Sequence, residues 1–139
     1  MELADAMRHV AEGRNGVLIT HRRDGRSQPS NIAYWVGGDG VIRVSITDTR
    51  AKTANLRRDP RCELYVVGDN FWHYLVLDAE CELSPVATDA HDATCDELVE
   101  YYRNVAGEHP DWEEYRAAMV SDQRLVARLT PSRAFGMWA

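Results

Sequence analysis

Apolar positions along the chain change their spacing several times, and each change marks an element. Leu3, Met7, Val10 and Ala11 recur every three or four residues, which predicts an amphipathic helix over residues 2–12 ending near Gly13. Residues 16–20 read as a strand, Asp24-Gly25 as a hairpin turn, and residues 28–36 as the returning strand, with Pro29 marking an irregular or edge start. After the turn Gly37-Gly38-Asp39-Gly40, the chain alternates Val41, Arg43, Ser45 and Thr47 against Ile42, Val44 and Ile46, the pattern of a half-buried strand. Helix formers fill residues 51–58 behind Thr49, the expected N-cap, and Asp59-Pro60 ends them. Residues 62–67 and 72–83 read as strands around the turn Gly68-Asp69-Asn70. Over residues 88–106 the spacing becomes helical again, and Gly107 and Pro110 separate a second helix over residues 111–120. Residues 124–129 and 134–138 read as strand on either side of Pro131.

About six strands, joined mostly by hairpins and interrupted by short helices, predict a mainly β chain with helices (α+β) closed as an antiparallel barrel. No repeat or linker divides it, so residues 1–139 are expected to form a single domain. Regular βα alternation is missing, and neither Gly-x-Gly-x-x-Gly nor a Walker-type loop occurs, which argues against a Rossmann or P-loop nucleotide site. With 45% hydrophobic and 27% charged residues the composition is that of a soluble globular domain. No run approaches the eighteen or so apolar residues of a membrane span, and no signal sequence opens the chain. Three cysteines without a close pair argue against a disulfide framework and for a reducing, cytoplasmic setting.

Charge is unevenly spread. The net charge of −6 is dominated by acidic residues between Asp89 and Glu114, whereas Arg50, Lys52, Arg57, Arg58 and Arg61 form one local basic patch. A nucleic-acid binder needs a broad basic surface, so this distribution suits a small anionic ligand instead. Lys52 is the sole lysine beside fifteen arginines. A compact point charge is not equivalent to a planar fork at a crowded anion site.

The strongest candidate for chemistry is the run from Ser45 to Asn55, where a strand ends, a helix begins, and Arg50 and Lys52 fall at the junction. A helix N-terminus offers open N–H groups and a positive dipole end to a phosphate. Arg50 can grip phosphate oxygens in two places while Lys52 adds charge, and Asn55 follows one turn later on the same side. The alternative is a solvated basic turn whose ions pair with Asp48 and Asp59.

The run VSITDTRAKTANLRRD (44–59) resembles the phosphate-binding segment of split β-barrel flavin and deazaflavin oxidoreductases, the superfamily of the pyridoxamine 5′-phosphate oxidases. The likeness extends through Gly16-Val17-Leu18, Asp24-Gly25-Arg26, Gln28-Pro29-Ser30-Asn31 and the closing Arg128-Leu129-Thr130-Pro131. The run from Tyr102 to Trp112 resembles the actinobacterial subgroup that binds the deazaflavin coenzyme F420 rather than FMN. This resemblance implies that Arg50 and Lys52 hold the cofactor phosphate, with Ser45, Thr53 and Asn55 near it. It also implies that Gln28, Pro29, Ser30 and Asn31 flank the ring and that Thr20 faces it from the preceding strand. Trp72 would approach ring or tail from the partner subunit of a homodimer, or anchor that dimer. The true pyridoxamine 5′-phosphate oxidases are longer and carry a C-terminal histidine contact, which the closing Arg133-Ala134-Phe135-Gly136-Met137-Trp138 lacks. Pyridoxine-phosphate oxidation is therefore not expected.

The function so implied is an F420H2-dependent reductase that passes hydride to a small conjugated acceptor, with an FMN-dependent oxidoreductase and a non-catalytic F420 carrier as alternatives. The deazaflavin tail adds carboxylates, for which Arg57, Arg58 and Arg61 are the nearest cations in sequence. No acid–base residue stands out. His91 and Cys95, spaced i, i+4 on the expected helix, lack the further ligands of a metal site, so none is expected. His21 and His73, in expected strands, have no nucleophile motif beside them. Tyr101, Tyr102, Trp112 and Tyr115 are expected to fill the space between the two late helices and the barrel.

Overall fold

A computed structural model describes residues 1–138. Its element order is α1 (Leu3–Glu12), β1 (Asn15–His21), β2 (Ser27–Ala33), β3 (Trp35–Val36), β4 (Ile42–Thr47), α2 (Ala51–Arg58), β5 (Arg61–Val67), β6 (Tyr74–Leu83), α3 (Ala93–Ala106), α4 (Trp112–Ser121) and β7 (Arg124–Met137). The strands form one antiparallel sheet in the order β2-β1-β5-β6-β7-β4-β3. It curls into a split-barrel α+β fold around Leu18, Ile42, Val44, Ile46, Leu64, Leu75, Leu77, Leu125 and Leu129, all fully buried. The alternation read over residues 41–47 is the reason β4 works: its apolar positions enter this core, while Arg43, Ser45 and Thr47 take the other face. On that face Cys95, Leu98 and Val99 of α3 and Tyr115 and Met119 of α4 pack with Val126 as a second cluster. No helix among the described residues is long and apolar enough to cross a membrane.

Four boundaries differ from expectation. The strand expected over 28–36 is broken at Tyr34, which is fully buried, donates its backbone N–H to the Arg14 carbonyl at 2.7 Å and its phenol to the Val10 carbonyl at 2.7 Å. That break lets β2 pair with β1 at one border of the sheet while β3 pairs with β4 at the other. The two pieces expected around Pro131 form one continuous strand, because a bulge between the Asp78–Arg133 and Ala79–Pro131 pairs absorbs an extra residue. Helix α3 starts at Ala93 rather than 88, since the Asp92 carboxylate accepts the N–H groups of Thr88, Asp89 and Cys95 and caps it there. Finally β6 begins at Tyr74, so Trp72 and His73 lie in the preceding turn, where the Trp72 N–H meets the Asn70 side chain at 3.0 Å.

Gly136 is required where β7 passes close to the Tyr74 backbone of β6. Its φ is +144°, and a Cβ there would lie 2.3 Å from the Tyr74 carbonyl oxygen.

Candidate functional site

The junction between β4 and α2 is held by a side chain that the sequence placed near a ligand. The Thr53 hydroxyl donates to the Thr47 carbonyl at 2.6 Å and is fully buried, so it ties the first turn of α2 to the end of β4. The residue at the N-cap is Arg50, not Thr49, and no side chain caps the helix. The Thr53 N–H donates to the Arg50 carbonyl at 3.1 Å, which leaves the N–H groups of Ala51 and Lys52 open at the start of the helix.

The charges at the junction divide into paired and unpaired groups. Asp48 is bound to Arg57, and Asp59 to Arg61 at 2.9 Å. The Arg61 guanidinium holds the Asp59 carboxyl down to about 2. Neither carboxylate compensates Arg50 or Lys52, and among the described residues neither cation forms an ion pair. Burial lowers the pKa of the half-buried Lys52 ammonium, and the charges of Arg50 and Arg124 lower it further. The patch is thus paired in part: Arg57 and Arg61 are neutralised by Asp48 and Asp59, while Arg50 and Lys52 are not. Cations are gathered without counter-charge, and the open N–H groups of α2 point the same sign of potential outward.

Arg124 is the residue that sequence reasoning missed. It opens β7 directly opposite Thr47 and contributes its charge to the junction, but no local motif announces it, because only the β4–β7 register brings it there.

The other expected ligand residues divide. Asn55 is buried, and its amide donates to Thr20 Oγ1 at 3.1 Å and Gln28 Oε1 at 2.9 Å while its carbonyl accepts from Arg58 at 2.9 Å. Asn55, Thr20 and Gln28 therefore form an internal tie between α2, β1 and β2, and the fully buried Thr20 lies inside it. Strand alternation splits the run 28–31. Gln28 and Ser30 sit opposite Thr20 and Leu18 and share their inward face, whereas Pro29 and Asn31 sit opposite Ile19 and Val17 on the outer one. The Ser30 hydroxyl is buried without a partner. Ser45 lies on the α3 side of β4, near Tyr101, whose phenol donates to the Ala33 carbonyl at 2.8 Å and is pushed up in pKa by burial. Trp72 is 73% exposed and stands edge-on to Phe71 with ring centroids 5.2 Å apart.

Tyr102, His109, Trp112 and Tyr115 form one aromatic cluster between α3 and α4, with ring centroids 4.9–5.8 Å apart. Arg103 lies over Trp112 at 4.8 Å, and Glu108 accepts the Trp112 N–H at 3.1 Å. The run from Tyr102 to Trp112 thus builds the corner between two helices. His91 precedes α3 instead of sharing a helix face with Cys95; it pairs with Glu113 at 3.1 Å, while Cys95 is buried. No group of three or more metal-ligating side chains gathers among the described residues.

The family model described as pyridoxamine 5′-phosphate oxidase matches residues 3–138. The chain belongs to that family, which includes oxidoreductases. Solved structures agree on the fold. A conserved hypothetical protein of Mycobacterium tuberculosis matches with TM-score 0.72 and 22% identity over 96% of this chain and 82% of that one. An F420 reductase matches with TM-score 0.65 and 24% identity over 92% of this chain and 94% of the other. A heme storage protein of Vibrio cholerae matches with TM-score 0.68 and 16% identity over 98% and 95% of the two chains.

Proposed function

We propose that the protein is an F420H2-dependent reductase acting on a small conjugated acceptor. The observation that carries this reading is the uncompensated pair Arg50 and Lys52 at the open start of α2, a site for a phosphate group. The bound deazaflavin would supply the hydride. Arg50, Lys52 and the first-turn N–H groups would hold its phosphate, and the Asn55 tie would keep α2 at a fixed distance from β1 and β2. Ser30, with its unpartnered hydroxyl, and Asn31 would border the ring. FMN, the cofactor of the alternative reading, would use the same anchor, and a carrier would use it without turnover.

The reading includes a homodimer that completes the site. Val67, Tyr74, Phe135 and Met137 lie exposed side by side, with Val67 opposite Tyr74 and Tyr74 opposite Met137 in the sheet. Phe71 and Trp72 extend this apolar face at its end. The exposed Trp72 would meet the ring or tail of the partner's cofactor, or anchor the dimer.

Fluorescence titration with deazaflavin and with FMN, at low and high salt, tests the cofactor. Deazaflavin is expected to bind, more weakly as salt rises, because exposed charge pairs are screened beyond about 8 Å at physiological ionic strength. Micromolar FMN binding without deazaflavin binding would overturn the assignment. Oxidation of the reduced cofactor by a panel of quinones and enones separates a reductase from a carrier.

A further inference from the structure

The cations nearest in sequence to the phosphate anchor are spent elsewhere. Arg57 is bound to Asp48, Arg61 to Asp59, and Arg58 to the His21 carbonyl and Asn55. Two of them also occupy the last turn of α2, about 10 Å along the helix from its open start. None is free to meet a group that adjoins the phosphate.

Arg124 is free. It faces Thr47 across the β4–β7 ladder, three residues before Arg50. Its Nε is buried with no hydrogen-bond partner, and among the described residues it forms no ion pair. Asp48 holds Arg57, Asp96 holds Arg116, Glu97 holds Arg43 and Arg128, and no ion pair joins the exposed Asp122 to Arg124. The phenols on its other side, Tyr101 and Tyr115, give their hydrogens to the Ala33 and Leu98 carbonyls, both at 2.8 Å. Arg124, placed opposite Thr47, and Arg50 both lie close enough to Lys52 for their charges to act on it, and none of the three forms an ion pair among the described residues. A single phosphodiester carries one charge and is already served by Arg50, Lys52 and the helix N–H groups.

We propose that Arg124 receives a second anionic group of the same ligand, a carboxylate adjoining the phosphate. The inference rests on reading the β4–α2 junction as the phosphate anchor. A buried donor left without a partner keeps the cost of its lost hydration. Rotation of the guanidinium onto a carboxylate recovers that cost, since its Nε–Nη edge matches two oxygens in one plane. A phosphate ligand without an adjoining carboxylate leaves this third cation uncompensated. Arg124 thereby distinguishes tailed from tailless cofactors, which Arg50 and Lys52 do not.

The experiment compares two probes, the deazaflavin cofactor with its carboxylate tail and the same cofactor with the tail carboxylates methyl-esterified. Both are titrated against wild type, Arg124→Met and Lys52→Ala at one ionic strength, with thermal melting as the folding control. Wild type is expected to prefer the free-acid cofactor by about tenfold or more, the scale of a charged hydrogen bond. Arg124→Met should lose that preference while binding the ester as wild type does, and it should melt no lower than wild type. Lys52→Ala should weaken both probes alike. If Arg124→Met keeps the preference while Lys52→Ala loses affinity, the phosphate anchor stands and the role of Arg124 falls. Equal weakening of both probes by Arg124→Met also overturns it, because the residue then serves phosphate or scaffold. Failure of wild type to bind either probe removes the anchor and the inference together. Should Arg124→Met not fold, Arg124→Gln carries the same comparison.

Discussion

Asp48 is bound to Arg57 from the last turn of α2, so the carboxylate nearest in sequence to Arg50 and Lys52 is held away from both. That pairing keeps the start of α2 electropositive. Alanine at Arg50 or Lys52 should each cost about 1.5–3 kcal/mol of cofactor binding, the worth of a hydrogen bond to a charged group, with little change in melting temperature. Arg57→Ala is the more telling variant. Arg57 is not one of the proposed phosphate ligands, yet its removal frees Asp48 to compete for Lys52, and affinity should fall about two- to fivefold, the scale of an exposed ion pair. Isothermal titration with the cofactor measures both effects.

Asn55 should matter more to the fold than to the ligand. Alanine there removes the bonds to Thr20, Gln28 and Arg58 within a buried space, and urea denaturation should show a loss of about 1–3 kcal/mol.

Glu97 lies between Arg43 at 2.9 Å and Arg128 at 2.6 Å, joining α3 to β4 and β7. Burial raises the pKa of its carboxyl, but the hydrogen bonds from Arg128 and Arg43 outweigh that and leave it below its ordinary 4.5. A carboxyl lowered by folding stabilises the protein above its unfolded value, and that stability drains away as pH falls through the folded one. Urea midpoints of wild type should therefore drop below pH 4.5, and part of that drop should be absent in Glu97→Gln. At pH 7 the same variant should be less stable by about 1 kcal/mol, because Arg43 keeps its pair with Asp39 and Arg128 its pair with Glu82.

Phe135 stands opposite Val76 on the exposed apolar face and is 46% exposed. Phe135→Asp should convert a dimer to a monomer in light scattering at micromolar concentration while the melting transition of the single chain persists. A monomeric wild type would remove the shared-site part of the proposed function.

Much of this molecule is legible in its residues because local rules and tertiary demands coincide. The alternation in β4 and the Asp59-Pro60 stop of α2 carry their own structural meaning. The resemblance around Arg50 and Lys52 led to the family to which the chain belongs. What escaped depends on distance in sequence. Tyr34 breaks a strand that reads as continuous because Val10 and Arg14 claim its polar groups. The Asp92 cap overrides helical spacing that begins earlier. Thr53 and Asn55, placed beside a ligand by resemblance, turn their side chains into the scaffold. Arg124 lies 72 residues from Lys52, and no window over the sequence unites them.

The interruption at Tyr34 has a further consequence for how the molecule comes apart. Ser27–Ala33 and Trp35–Val36 supply both borders of the sheet from one uninterrupted stretch of chain. Each border strand is thus tethered to the other through a single residue clasped by α1 and by the entrance to β1. Fraying at one margin pulls directly on the opposite margin, so neither can peel away as a local event. Amide exchange in β2 and β3 should accordingly share one opening step, set by release of the Tyr34 clasp rather than by the few hydrogen bonds each short strand makes for itself.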